Sequence, residues 1–326
     1  MPKTQFLPKP PGIPAGQFGT ASERARRELA AGLHHKPARI SPKYFYNAMG
    51  SKLFEAICLL DEYYLTRAEQ SIYSRHAAAI ASAAGRGRVL IDIGAGNCAK
   101  AALLFAALQP EQYVPVDISA DFLRTTVERL QATYPDIAML PVGLDFTEGL
   151  NLPIQVNAQR RLLFYPGSSI GNFTPLQAAQ FLSRLRSQCG ADSALLIGVD
   201  LVKAPEILEA AYNDPLGITS AFNLNVLNHT NMLLDSNFSI SDWQHVAFFN
   251  TEQSCVEMHL EARRPVMVQW PGGERAFAQG ERIHTENSYK YTRHGFTELL
   301  ASCGFGDAVC WSDDAQRFLV CYARAI

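Results

Sequence analysis

Between residues 88 and 202 short apolar runs alternate with longer amphipathic ones, and this rhythm limits the possible folds more than any other feature of the chain. "RVLIDIGAG", "YVPVDIS", "IAMLPVGLDF", "RRLLFYPGSS" and "SALLIGVDLV" are the apolar runs. Three of them lead into helical stretches, "NCAKAALLFAAL", "ADFLRTTVERLQATYP" and "PLQAAQFLSRLRSQCG". Strands that are apolar at successive positions are buried on both faces, and parallel strands need a crossover long enough to hold a helix. The pattern therefore predicts an α/β fold, a parallel sheet covered by helices on both sides.

The flanking segments differ in character. "ASERARRELAAGL", "SPKYFYNAMGSKLFEAICLL" and "TRAEQSIYSRHAAAIASAA" are helical in pattern. Ser41 before Pro42 is a candidate helix start, and Thr66 with Glu69 is a candidate capping box. After residue 202 the alternation stops. A long asparagine-rich helical segment, "LEAAYNDPLGITSAFNLNVLNHTNMLL", precedes a run of strands from "HVAFFN" to "IHTENSYKY". "HGFTELLASCGF" and "DAVCWSDDAQRFLVCYARA" then predict a helix and a closing hairpin, which suits an antiparallel edge on the parallel sheet. The expected organisation is a nucleoside-binding domain at 67–202 plus 290–326. A second, α+β substrate domain at 1–66 plus 203–289 combines the N-terminal helices with the insertion.

A length of 326 residues is enough for one large or two smaller domains, and 29 basic against 31 acidic side chains disfavour a nucleic-acid partner. No apolar run approaches the roughly 20 residues of a membrane span, so no membrane is expected. The Pro- and Gly-rich start, "MPKTQFLPKPPGIPAGQFGT", has neither the pattern of a signal peptide nor that of a helix and is expected to be an arm or surface strap. The seven cysteines are odd in number and scattered without a C-x-x-C pair, which predicts reduced thiols and a cytoplasmic location. His284 and His294 lack ligand-spaced partners, so no metal is expected.

Three strand ends hold candidate ligand groups. Gly94 and Gly96 lie in the first strand-to-helix turn, where glycine allows positive φ and close approach of a ligand. Ala99 completes only the looser form of G-x-G-x-x-G. Asp117 ends the second run, at the spacing where an acid reaches ribose hydroxyls. Asp145 and Phe146 end the third, placed for an adenine amino group and ring face. The preceding Asp92 and the terminal hairpin suit a methyltransferase binding S-adenosylmethionine better than a dehydrogenase.

Several phrases taken together, "YFYNAMGSKLFEAICLLDEYYLTRAEQSIY", "IDIGAGNCAK", "YPGSSIGNF", "YNDPLGITSAFN", "VEMHL" and "IHTENSYKY", resemble the histidine-specific Nα-methyltransferases of ergothioneine biosynthesis. The likeness runs from about residue 40 to the end. It implies a Rossmann-like class I methyltransferase domain and a second domain, with L-histidine held between them as substrate. It further implies successive methylation to the trimethylated betaine, hercynine. Carried over by position, Tyr46, Phe54, Gly94, Gly96, Lys100, Asp117, Asp145, Phe146 and Gly167 surround the methyl donor. Asn172 and Tyr212 are implied to hold the substrate carboxylate, and Tyr63, Glu286 and Ser288 the imidazole, with Met258 close by. A monomer is expected, and no residue is singled out as general base.

These residue types suit the task. Neutral imidazole has one N–H and one ring acceptor, which a carboxylate and a hydroxyl can pair with. Two alternatives stay open at this stage. One is an Nα-methyltransferase for a tryptophan-like amino acid, for which an acid at 286 would be out of place. The other is a non-catalytic binding module that keeps the fold.

Overall fold

The computed structural model describes residues 21–326 apart from 148 and 191, so the N-terminal arm lies outside the described residues. The chain begins with α1 (Ala21–His34), β1 (Ala38–Arg39), a 3-10 turn at Pro42–Phe45, α2 (Ala48–Ile57) and α3 (Tyr64–Ala84). The single helix expected across residues 41–60 is thus broken. Ser41 makes no side-chain cap, whereas Asn47 accepts from the Gly50 amide at 2.8 Å and starts α2. Gly50 packs so tightly on the Phe45 carbonyl that a β-carbon there would lie 1.7 Å from its oxygen. Thr66 and Glu69 form no capping box either. Helix α3 starts at Tyr64, and Glu69 is fully buried in its second turn.

The alternating region gives β2 (Val89–Ile93), α4 (Ala99–Leu108), β3 (Gln112–Asp117), α5 (Ala120–Thr133), β4 (Ala138–Met139), β5 (Val142–Gly143), β6 (Arg161–Tyr165), α6 (Pro175–Ser187) and β7 (Ala194–Asp200). Strands β2, β6 and β7 are buried at every position, as continuous apolar runs require. The long helix expected in the insertion is two helices, α7 (Pro205–Ala210) and α8 (Ile218–Leu234). The cause is "NDPLG": Asp214 caps α8 by accepting from the amides of Ile218 (2.9 Å) and Thr219 (2.7 Å).

The insertion continues with β8 (Trp243–Asn250), β9 (Cys255–Ala262), the hairpin β10 (Val266–Trp270) and β11 (Gly273–Phe277), and β12 (Arg282–Tyr289). After it come α9 (Arg293–Ser302), β13 (Phe305–Ser312) and β14 (Phe318–Ala325).

The large sheet has the order β13-β14-β7-β6-β2-β3-β4, with β5 also paired to β3. Its members are parallel except β14, antiparallel to β7, and β13, antiparallel to β14, which is the expected edge. Strand order reverses between β2 and β6, and ligands of open α/β sheets bind at the carboxyl ends of strands beside such a reversal. A second sheet, β1-β12-β9-β8, is built from the N-terminal segment and the insertion.

Strand register corrects the expectation of reduced thiols at two of the seven cysteines. Cys310 stands directly opposite Cys321 across β13 and β14, and the two are joined as a disulfide. The other five are unpaired. Among the described residues no helix is long and apolar enough to cross a membrane, and no group of three metal-ligating side chains occurs.

Candidate active site

The turn after β2 is shaped for a ligand. Gly94 and Gly96 adopt φ of +72° and +52°, which side chains disfavour. Asp117, at the end of β3, accepts from the Gly96 amide through Oδ2 and from the Ser119 amide through Oδ1, both at 3.0 Å. Its carboxylate therefore fixes the turn and keeps unused lone pairs for hydroxyl donors. The Phe146 ring comes within 3.5 Å of where a Gly94 β-carbon would sit. Asp145 is fixed by the Thr147 amide at 3.0 Å and by Lys43 at 3.3 Å. Asp92 is buried beneath the turn and takes the Tyr113 hydroxyl at 2.7 Å. Burial pushes its carboxyl up to about 7 against the pull of that bond.

Lys100 and Gly167, both expected near the donor, meet through Glu69, which sequence reasoning had assigned to a helix cap. Glu69 pairs with Lys100 Nζ at 2.6 Å. It also accepts from the Gly167 amide at 2.8 Å and from the Tyr73 hydroxyl at 3.0 Å. Gly167 has φ of +79°, a conformation that favours glycine, and a β-carbon there would lie 2.9 Å from Lys100 Nζ, the mobile end of its side chain.

An edge-on run of rings borders this corner: Tyr46 on Phe54 at 5.7 Å, Phe54 on Tyr63 at 6.2 Å, and Tyr63 on Tyr212 at 6.3 Å. The Tyr46 phenol is held well above its ordinary pKa, first by burial and then by the charges of Glu286 and Asp117. Tyr46 is thus within electrostatic reach of both the nucleoside corner and β12.

Strand β12 has a bulge between His284 and Glu286, where the pairing slips and Thr285 donates its hydroxyl to the Met258 carbonyl at 3.0 Å. A bulge re-aims the side chains that follow it. With a period of two, Glu286 and Ser288 then share one face. Met258, buried on β9, stands opposite Glu286. The Glu286 side chain is half-buried, and its carboxyl is pushed up to about 7 by burial, which the charge of Lys290 partly opposes.

Asn172 closes a 3-10 turn at Ser169–Asn172 whose Gly171 packs against the Tyr289 backbone. Thr174 and Gln177 form the capping box of α6, so Asn172 is released from capping. With its amide oriented to satisfy its neighbours, it donates to Glu286 Oε1 and to the Asn287 carbonyl, each at 3.2 Å. Tyr212, which the family resemblance pairs with Asn172, instead donates to Ser288 Oγ at 2.7 Å. His284 bonds to Asn287 at 2.8 Å, and His294 is exposed on α9 beside Glu298.

The fold is that of the class I, S-adenosylmethionine-dependent methyltransferases. The family model described as histidine-specific, SAM-dependent methyltransferase matches residues 25–325, and the chain belongs to that family. It is 38% identical to a histidine N-alpha-methyltransferase of Mycolicibacterium smegmatis over 92% of this chain and 94% of that one. A protein of the same description from Mycobacterium tuberculosis is 37% identical, over 90% and 92%. Ergothioneine biosynthesis protein 1 of Neurospora crassa is 32% identical over 85% of this chain, which spans 32% of that longer protein.

Proposed function

We propose that this methyltransferase transfers methyl groups from S-adenosylmethionine to the α-amine of L-histidine, successively to the trimethylated betaine used in ergothioneine-type biosynthesis. One observation supports the substrate above others. Glu286 and Ser288 lie on the same strand face, a carboxylate acceptor and a hydroxyl donor that match the N–H and the bare nitrogen of one imidazole. A site that pairs both ring nitrogens rejects apolar isosteres strongly, because its own buried groups would be left without partners.

The donor, when bound, supplies an electrophilic methyl group; Gly94, Gly96, Asp117, Asp145, Phe146, Lys100 and Gly167 are the residues proposed to hold it. The chain's task is to bring an unprotonated amine into line and to exclude water. Tyr46, Phe54, Tyr63 and Tyr212, in edge-on contact with one another, are proposed to wall the acceptor site. Desolvation there favours the neutral amine over ammonium. Asn172 is proposed to orient the amino-acid head group through its amide, with Tyr212 at the ring end. In this reading residues 67–202 and 290–326 form the donor domain, and residues 1–66 and 203–289 the acceptor domain. A cytoplasmic monomer is part of the same proposal.

The test is incubation with S-adenosylmethionine and each of the twenty amino acids, read by mass spectrometry. Increments of one to three methyl groups on histidine are expected. Increments on tryptophan or tyrosine alone would overturn the substrate assignment.

A further inference from the structure

Lys290 follows Ser288 by two residues, and its side chain is fully buried on the face of the chain that bears Glu286 and Ser288. Its ammonium has three hydrogens and three partners: Asp200 Oδ2 at 2.9 Å, Ser288 Oγ at 2.7 Å and the Tyr212 hydroxyl at 3.2 Å. Asp200 is itself held in place. Its Oδ2 takes the Tyr64 hydroxyl at 2.7 Å, and its Oδ1 takes Lys203 Nζ at 2.7 Å. The lysine is thus anchored on the large sheet while it points at the residue proposed to read the substrate ring.

A lysine ammonium only donates. Ser288 Oγ accepts from Lys290 and also from Tyr212, so both of its lone pairs are taken. One hydrogen remains on the serine, and it can only be given away. We propose that Lys290 is a positioning residue that sets the polarity of the acceptor site. By filling the acceptor side of Ser288 it forces this hydroxyl to donate into the cleft, so that the site accepts a ring with a bare nitrogen and rejects an imidazolium.

An imidazolium presents N–H on both sides and would find no lone pair at Ser288. The charges that face this point are Glu286 on β12, Asp200 at the end of β7, and Lys203 beyond it. Tyr64 and Tyr212 add their phenols, and Cys255 its thiol, from α3, the segment after α7 and β9. Burial works against the charge of Lys290, but Asp200 and Tyr212 outweigh it and hold the ammonium above its ordinary pKa. The lysine therefore stays a donor throughout the working pH range. This inference rests on the histidine reading of the same site.

The experiment is a double-mutant cycle with K290M and S288A, reading the KM for histidine, the KM for S-adenosylmethionine and kcat. Circular dichroism checks that each variant is folded. If the lysine acts through the serine, each single variant raises the histidine KM by roughly 10- to 100-fold and the pair is little worse than either one. The donor KM should move by less than about threefold, and K290R should recover part of the loss. Independent, multiplying effects, or equal losses for histidine and donor, would overturn the proposal.

Should K290M fail to fold, the wild type and S288A still decide the matter. Histidine affinity, measured by calorimetry between pH 5.5 and 8.5, should fall more steeply on the acid side for the wild type. Equal slopes would overturn the inference. A wild type that methylates another amino acid but not histidine refutes the underlying reading instead, before any variant is made.

Discussion

Replacing Glu286 by glutamine should make the protein more stable and less active. The Glu286 carboxyl is pushed from an ordinary value near 4.5 up to about 7, chiefly by burial. Holding it ionised at pH 8 therefore costs about 3 kcal/mol, or roughly half that after allowing for its partial exposure. The sign follows from linkage. With the folded value above the unfolded one, the penalty is nearly absent at pH 4.5, grows as pH rises to about 7, and is constant beyond. Glutamine keeps the shape and an oxygen for the Asn172 amide but has no charge to desolvate. An unfolding entropy of about 2 cal/mol/K per residue makes each kcal/mol worth about 1.5 °C in a chain of this length.

E286Q should thus melt about 2–5 °C above the wild type at pH 8, with the gap shrinking to under about 1 °C at pH 4.5. The histidine KM should rise about tenfold or more as a charge-assisted hydrogen bond is lost, with donor affinity unchanged. Scanning calorimetry at the two pH values is the assay. A variant no more stable than the wild type at pH 8, or a gap independent of pH, would refute the reasoning.

Glu69→Ala leaves the Gly167 amide, the Tyr73 hydroxyl and Lys100 without their common partner. Breaking such a buried pair costs about 3–5 kcal/mol, so the melting point should fall by several degrees and S-adenosylmethionine should bind at least tenfold more weakly in a titration. Asn47→Ala removes the cap of α2 and a partner of Asn225, at a cost of about 1 kcal/mol in a denaturant melt, and Asn47→Asp should restore the cap.

The parallel sheet, its antiparallel edge and the glycine turn were legible because each follows from a local rule: continuous apolar runs, crossover length, positive φ. The roles proposed for Glu286 and Ser288 were legible only through resemblance, since a glutamate on a strand has no local mark of burial. Glu69 was misread because a Thr and a Glu three residues apart satisfy the capping pattern whether or not a helix starts there. Its true partners, Gly167 and Lys100, are distant in sequence. The break at Asp214 had a local signal in "NDPLG", outweighed by the helical residues on either side. Lys290 receives no role from the sequence, because lysines rarely lie buried. Yet the period of two from Glu286 through Ser288 put it on their face, and that signal could have found it.

The insertion leaves the large sheet and rejoins it at one place. Leu201 and Tyr291 form a parallel bridge, the Tyr291 amide donates to the Asp200 carbonyl and the Val202 amide to the Tyr291 carbonyl, both at 3.0 Å. An excursion whose two ends are neighbours is a module. Its strands can be re-lined, lengthened or exchanged without shifting the register of β6, β7 and β14, on which the donor corner depends. On the proposed reading, acceptor choice and methyl chemistry could then evolve separately on this scaffold, and the ion pair of Lys290 with Asp200 clasps the insertion to the large sheet.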